Sequence, residues 1–299
     1  MNGNWHDIAV FLSKTKNQAV TFTKKEAVSG GCINQAWKVT DNHNKQYFIK
    51  TNSPALEEMF SIEAASLIEI QQSNSIRTPH VLVYGSNSEF SYLALEYIPL
   101  KPLSNQKRLG EQLAQMHQNI DPLKQAVNQF GWTQDNYIGS TSQSNQYHKC
   151  WTSFWKNERL LFQLNLANNK GYSNKAYEAG LRLAESLAVF FSDYHPQPSL
   201  LHGDLWGGNC ASDMSENPVI YDPAVYYGDR ETDIAMTELF GGFNSDFYNA
   251  YNDCYALDSG YKTRKILYNL YHILNHYNLF GGGYAKQAEK MTQQLLSEI

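Results

Sequence analysis

The sequence predicts an α+β chain of two lobes, a small antiparallel sheet with one main helix followed by a larger, mostly helical part. Three observations carry that prediction. Short apolar or alternating segments dominate the first hundred residues. The stretch Ile98-Pro99-Leu100-Lys101-Pro102 then interrupts regular structure, and from Asn105 onward apolar residues recur at helical spacing. The boundaries that follow are 1–97 for the sheet lobe, 98–102 for a linker and 103–299 for the helical lobe.

In chain order, Gln18 to Val28 alternates loosely and leads into the glycine turn Ser29-Gly30-Gly31-Cys32-Ile33-Asn34. Ala36–Thr40 and Gln46–Lys50 flank the turn Asp41-Asn42-His43-Asn44, which is the pattern of a hairpin. Leu56 to Gln72 carries Met59, Phe60, Ile62, Ala65, Leu67 and Ile68 at helical spacing, and strands follow at Val81–Tyr84 and Tyr92–Tyr97. In the second lobe, Leu109, Leu113, Met116 and His117 share one face of a helix that ends before Asp121-Pro122. Further helices are expected at Phe154–Ala167, Tyr177–Phe191, Thr232–Phe240 and Lys262–Leu279.

Composition narrows the function classes. With 42% apolar, 13% aromatic and 18% charged residues, a chain of 299 residues can build proper cores and is not disordered. A formal net charge of −5 argues against a nucleic-acid partner. No apolar run has the length of a membrane span, and Met1 to Asp7 lacks a signal-peptide pattern. Cys32, Cys150, Cys210 and Cys254 form no Cys-x-x-Cys pair, which fits a reduced compartment. The expectation is a cytoplasmic enzyme with no membrane partner.

The chemistry is concentrated in Leu201-His202-Gly203-Asp204-Leu205-Trp206-Gly207-Gly208-Asn209, followed by Asp222. An Asp, an Asn five residues on and a second Asp thirteen beyond that make up the catalytic kit of the protein-kinase-like phosphotransferases. In that kit Asp204 takes the proton of an attacking hydroxyl, while Asn209 and Asp222 hold Mg²⁺ on the phosphates of ATP. Hard oxygen ligands suit that ion. Apolar runs at Ser199–Leu201 and Pro218–Tyr221 read as two strands, joined by about a dozen residues, that bring the three oxygen ligands to one edge.

Other residues gain meaning from this set. Lys50 ends an apolar strand; alone it would be a solvated strand end, but with the downstream kit it reads as a ligand of the α- and β-phosphates. Glu63 is its expected partner, although Glu57, Glu58 and Glu69 share the same helix. Gly30-Gly31 stands where a glycine-rich loop would cover the phosphates, with no full G-x-G-x-x-G. Glu96, Tyr97 and Ile98 lie where a linker would offer backbone groups to adenine. Gly203 replaces the Arg of regulated protein kinases, Pro223-Ala224 replaces Phe-Gly, and Asp229, Arg230, Glu231 and Asp233 follow without an Ala-Pro-Glu segment. A small-molecule acceptor is therefore expected, not a peptide platform. His272 and His276 are four apart but lack the Glu of an H-E-x-x-H metal motif, so they read as helix-face histidines, possible cleft residues. Trp206, two residues from the base, is the aromatic expected at the acceptor.

These segments resemble the fructosamine kinases (ketosamine 3-kinases), a branch of the protein-kinase-like fold near the aminoglycoside and choline kinases. The resemblance runs along nearly the whole chain. It includes Ser29 to Asn34, Met59-Phe60 with Glu63, Phe130-Gly131-Trp132, Asn136 to Ser140, Leu200 to Asn209 and Asp222 to Glu231. It continues through Leu239 to Phe243, Leu274-Asn275-His276 and Leu279 to Tyr284. It implies ATP-dependent phosphorylation of the 3-hydroxyl of a ketosamine, with later loss of the phosphorylated sugar and recovery of the amine. It further implies Asp204 as base, Asn209 and Asp222 as Mg²⁺ ligands, and Gly30, Gly31, Cys32, Ile33, Asn34, Lys50, Glu63, Glu96, Tyr97 and Ile98 around the nucleotide. Trp206 and His276 would meet the substrate. The partner would be a free or protein-bound ketosamine, and the chain a monomer or weak homodimer. Two alternatives stay open: a kinase of another amine-bearing small molecule, or a nucleotide-binding module without turnover. Cys32 reads either as a redox-sensitive thiol over the phosphates or as a passive small residue.

Overall fold

Alternation along the strand Gln46–Asn52 organises the first of the two units into which the chain folds. The computed structural model describes residues 3–28, 34–119 and 129–299. One unit comprises Met1–Ser104 with Ala211–Asp222, the other Asn105–Cys210 with Pro223–Ile299. The first unit holds β1 (Phe22–Val28), β2 (Gln35–Asp41), β3 (Gln46–Asn52), β4 (Val81–Ser86) and β5 (Ser91–Glu96) in one sheet. The strand order is β1-β2-β3-β5-β4, and every neighbouring pair is antiparallel.

Because strand side chains alternate faces, Tyr47 and Ile49 enter one core with Val39, Tyr92 and Ala94. Phe48 meets the other, with Leu93 and Leu95 against Phe60, Ala64 and Leu67 of the helix Glu57–Gln72. Lys50 shares the parity of Phe48, so the alternation sends it toward that helix and Glu63.

The first core is closed by a helix that the sequence reading did not include. It spans Gly3–Lys16 and contributes Trp5, Ile8, Ala9 and Leu12. Asn17 ends it at φ 50°, the left-handed position that Asn tolerates after a helix. This unit thus has two helices on its sheet where one was expected.

A second correction concerns the linker and the catalytic strands. Leu100–Lys101, expected to be irregular, forms a short strand β6, and Ser212 and Asp213 of β10 (Cys210–Asp213) pair with it. The strand β11 (Pro218–Ile220), which leads to Asp222, lies beside β10 in that sheet. The strand β9 (Ser199–Leu201), which leads to Asp204, instead pairs with β12 (Tyr226–Gly228). The two catalytic strands therefore do not form one edge. Each is matched by a short strand, β10 or β12, that the apolar pattern did not reveal.

The second unit is mostly helical, as expected, with a short antiparallel hairpin of β7 (Asn136–Ile138) and β8 (Thr141–Gln143). Its longest helix, Tyr261–Phe280, is buried through Leu267, Tyr268, Leu270, Tyr271, Ile273 and Leu274. The expected helix from Phe154 is α-helical over Trp151–Phe154 and Phe162–Asn169 but π-helical over Trp155–Leu161. The π stretch holds Arg159 fully buried, its guanidinium 4.1 Å from the Tyr226 ring centre and bonded to Ser144 O and Asn145 Oδ1. Two further helices, Ser245–Cys254 and Tyr284–Leu296, were not anticipated.

The helix Gln106–Gln118 places Gly110 against Ser245–Cys254 so closely that a Cβ there would stand 2.3 Å from Phe247 O. Gly110→Ala should gain up to about 1 kcal/mol of helix propensity and lose more, because backbone cannot yield as a flexible side chain can. A net destabilisation of about 1–3 kcal/mol is expected. Urea unfolding would show it as a lower midpoint at unchanged slope; an equal or higher midpoint would refute the packing argument.

Candidate active site

Within the first unit, the side chain of Lys50 joins two carboxylates. Its Nζ lies 2.7 Å from Glu63 Oε1 and 2.5 Å from Asp222 Oδ1. Burial works against the lysine charge, but Asp222 and Glu63 more than offset it and push the Lys50 pKa above its ordinary value. Glu63, chosen from four glutamates on the helix, is the one that meets Lys50. Asp222 adopts φ 56°, an uncommon left-handed backbone for a residue other than glycine.

Glu96 is drawn into a different arrangement. Arg77 Nη2 lies 2.9 Å from Glu96 Oε1 and Arg77 Nη1 2.7 Å from Asp213 Oδ2, while Ile220 N–H donates to Arg77 O at 3.0 Å. Arg77 therefore ties the end of β5 to the hairpin that carries Asp222; the sequence offered no sign of this. Tyr97 lies beneath Lys38, whose Nζ is 4.8 Å from its ring centre, and Ile98 is buried. Asn34 Oδ1 accepts from Asn52 Nδ2 at 2.7 Å. Gly30, Gly31, Cys32 and Ile33 lie outside the described residues.

The second unit holds Asp204 and Asn209. Asn209 Nδ2 donates to the Asp204 carbonyl at 2.8 Å and to its Oδ2 at 3.2 Å, fixing the loop between them. The backbone before Asp204 is anchored on Asp233. His202 N–H donates to Asp233 Oδ2 at 2.7 Å and Gly203 N–H to Asp233 Oδ1 at 2.9 Å. His117 Nε2 lies 3.2 Å from Asp233 Oδ2, and Tyr251 OH lies 2.8 Å from His117 Nδ1. A carboxylate only accepts, so Nε2 carries the His117 proton, and Nδ1 accepts from Tyr251.

Burial lowers the His117 pKa despite Asp233, and it raises that of Asp233, which the hydrogen bonds from His117 and the Gly203 backbone nevertheless help to bring below the ordinary range. A neutral histidine therefore faces an ionised aspartate. The sequence placed His117 on a buried helix face and Asp233 in an acidic run, without joining them.

Gly203 is explained by the same geometry. It sits at φ +81°, and a Cβ there would come 2.0 Å from Ala224 O. Ala224 N–H in turn donates to His202 O at 2.8 Å. No arginine fits where Gly203 stands. The run after Asp222 is also structural. Asp229 accepts from Tyr194 OH at 2.9 Å and Tyr268 OH at 2.5 Å, and Glu231 pairs with Arg264 through both oxygens. All four of Asp229, Arg230, Glu231 and Asp233 are buried, which charged groups tolerate only when paired.

Trp206 is 39% exposed, and its indole lies so close over Gly208 that a Cβ there would be 2.3 Å from the ring. His276 is half-buried, and its Nδ1 donates to His272 O at 2.8 Å. Mg²⁺ is consistent with the donor set. Asn209 spends its amide N–H on Asp204, which leaves its Oδ1 for a cation, and Asp222 engages Lys50 through one oxygen only among the contacts described. Among the described residues no three of His, Cys, Asp or Glu gather as a metal cage.

With this geometry in place, the family is decided by comparison. The model of the family described as fructosamine kinase matches residues 4–298. The chain belongs to the fructosamine kinase family. A Vibrio vulnificus protein named as a ketoamine kinase is 40% identical over 296 residues, 98% of this chain and 99% of its own. The Arabidopsis thaliana chloroplastic protein-ribulosamine 3-kinase is 39% identical over 284 residues, 94% of this chain and 85% of its own. The crystal structure of a Haemophilus somnus protein named for fructosamine-3-kinase superposes with a TM-score of 0.88 at 31% identity, covering 98% of both chains.

Two tests follow for this fructosamine kinase family member. Gly203→Ala should displace the Asp204 loop and cost on the order of 10²-fold in kcat; wild-type kcat would refute the close approach to Ala224. The second test is pH. The buried, neutral His117 and His272 both have folded values below 6.5, about 3 for His272, whose burial is the main cause with His276 next. Unfolding therefore takes up protons, so this stability is complete above pH 6.5 and declines as pH falls toward the folded values. The His272 contribution should reach a slope of about 1.4 kcal/mol per pH unit below its unfolded value, and His117 adds to it in the same direction. Urea unfolding between pH 7 and 5 should show that slope, reduced by one proton in His272→Leu; an identical slope in that variant would count against a neutral buried His272.

Proposed function

We propose that this chain transfers the γ-phosphoryl group of ATP to the 3-hydroxyl of a ketosamine, free or carried on a protein lysine. The observation that carries the reading is the division of labour just described. Lys50, Glu63 and Asp222 form a charged cluster suited to nucleotide phosphates, while Asp204 and Asn209 sit on a loop locked by Asp233. Family membership supplies the acceptor class.

Asp204 would orient the sugar O3 and take its proton as the O3–P bond forms and the bond from the γ-phosphorus to the bridging oxygen breaks, releasing ADP. Positioning counts as much as basicity, because phosphoryl transfer passes through a loose transition state with little covalent chemistry for the protein to perform. Lys50 would hold the α- and β-phosphates, oriented by Glu63. Asn209 Oδ1 and Asp222 would hold Mg²⁺, which supplies charge neutralisation at the phosphates. Tyr97 and Ile98 would face the base, and Trp206 would border the sugar. The resulting 3-phosphate is chemically unstable, so the sugar is lost and the amine freed. A reducing cytoplasm suits Cys150, Cys210 and Cys254, which form no disulfide among the described residues, and no described helix is long and apolar enough to cross a membrane.

The test is Mg²⁺- and ATP-dependent turnover on fructosyl-lysine, ribulosyl-lysine, an aminoglycoside and choline. A ketosamine should be the acceptor, and Asp204→Asn should lower kcat by about 10²- to 10⁴-fold while ATP still binds. Turnover confined to choline or the aminoglycoside would replace the acceptor assignment. ATP binding with no turnover at all would point to a binding module.

A further inference from the structure

The helix Tyr261–Phe280 connects the surroundings of Asp204 to a group of surface aromatic rings. Tyr271 is buried beside the backbone that precedes Asp204: its hydroxyl donates to Gln143 Oε1 at 2.6 Å, Gln143 Nε2 donates to Ala224 O at 3.4 Å, and that carbonyl is the atom packed against Gly203. His276 lies five residues further along the same helix, a rise of about 7.5 Å. Three rings surround its imidazole, with centres 4.7 Å away for Phe240, 5.7 Å for Phe280 and 5.2 Å for Tyr284. The contacts are tilted, at 44°, 55° and 51°, so the rings flank the imidazole at an angle and do not stack flat on it.

Two features set this cluster apart from ordinary packing. The first is exposure: Phe280 is 69% and Phe240 37% exposed. The glycines beside them, Gly241, Gly281, Gly282 and Gly283, would meet no atom within 4 Å if given a Cβ, so the cluster opens onto free space. The second is the treatment of cations. Lys25, Lys38, Arg159, Arg230 and Arg264 each stand over an aromatic ring elsewhere in this chain. Among the described residues no lysine or arginine stands over Phe240, Phe280 or Tyr284. The exposed surface of Phe280 and Phe240 is of the kind that attracts a cation from outside.

We propose that Phe240, His276, Phe280 and Tyr284 form an aromatic subsite for the amine end of the ketosamine, its secondary ammonium and the first methylenes of the carrier. This deepens the reading above and rests on it. The sugar hydroxyl that reacts belongs at Asp204, and the nitrogen is attached at the sugar's C1, so the carrier leads away from the base. Open space beside the glycines leaves room for a lysine within a polypeptide. The subsite would then favour an amine-linked ketose over the free sugar without touching the reacting atoms.

The test uses the full-length enzyme with ATP and Mg²⁺. Its substrate is ribulosyl-Nα-acetyl-lysine, and its competitor is the same compound acylated on the linking nitrogen, a neutral amide. Wild-type turnover is read first; its absence on every ketosamine would defeat the function proposed above and this subsite with it. Given turnover, Phe280→Ala and Phe240→Ala should each raise the KM for the ketosamine about 2- to 30-fold. The KM for ATP and the inhibition constant of the neutral competitor should stay near wild type. Phe280→Leu, which keeps apolar bulk but no ring, should resemble Phe280→Ala. The subsite is overturned if both alanine variants keep the wild-type KM for the ketosamine. It is equally overturned if charged substrate and neutral competitor weaken together, or if Phe280→Leu restores the KM.

Discussion

The carboxylate of Asp233 accepts the backbone N–H groups of His202 and Gly203 at 2.7 and 2.9 Å, and the loop that carries Asp204 takes its shape from those two bonds. A buried carboxylate is expensive unless satisfied. Here two backbone donors and the neutral His117 satisfy it, and Tyr251 and Arg230 extend the chain of donors behind His117. The loop N–H groups are spent on Asp233, so the peptide must turn at Gly203 with positive φ. The absence of a side chain there is the condition for Ala224 to close over the loop. One ionised group therefore fixes the backbone before the base and the residue type next to it.

The machinery is divided between the two units. Lys50, Glu63 and Asp222 belong to the first, Asp204 and Asn209 to the second, and the chain passes from one to the other directly after Cys210 and directly after Asp222. Each group is rigid for its own reason. In the first, strand parity aims Lys50 at the helix bearing Glu63, and Arg77 ties the β10–β11 hairpin to the end of β5. In the second, the anchor is Asp233. The carboxylates that look like a charged loop in the sequence, Asp229 and Glu231, are buried acceptors for tyrosines and Arg264.

How much of this was legible in the sequence depended on whether the signal was local. The β2–β3 hairpin, the Glu57–Gln72 helix and the helical second unit were visible because apolar periodicity and turn residues lie close together in the chain. So was the pairing of Lys50 with Glu63, once the Asp204–Asn209–Asp222 spacing set the context. The Gly3–Lys16 helix was missed although Trp5, Ile8, Ala9 and Leu12 fall at helical spacing; Val10 and Phe11 make Ile8–Leu12 an unbroken apolar run that hides the period. The strands β6, β10 and β12 were invisible because two to four residues carry no periodicity. The partner of β9 is β12 and that of β10 on its far side is β6, and no short window along the chain contains either pair. His117, Asp233, Arg77 and Arg159 were missed for the same reason, since their partners stand from 14 to 136 residues away.

A shared catalytic kit cannot by itself decide which hydroxyl is phosphorylated, because one scaffold hosts many acceptors. The decision has to lie in residues that the phosphate chemistry leaves free to differ. In this chain the Tyr261–Phe280 helix is such a place. Its buried face is committed to packing through Tyr268 and Leu270, and Tyr271 joins it through Gln143 to Ala224, which packs against the loop before Asp204. Its C-terminal end carries His276 and Phe280 out of the core and ends at Gly281, φ 67°, where packing imposes nothing. On the subsite proposed above, the exposed rings would meet the group attached to the sugar while the sugar hydroxyl lies at the base. That is how a fold without a peptide platform can select an acceptor by what is attached to the sugar.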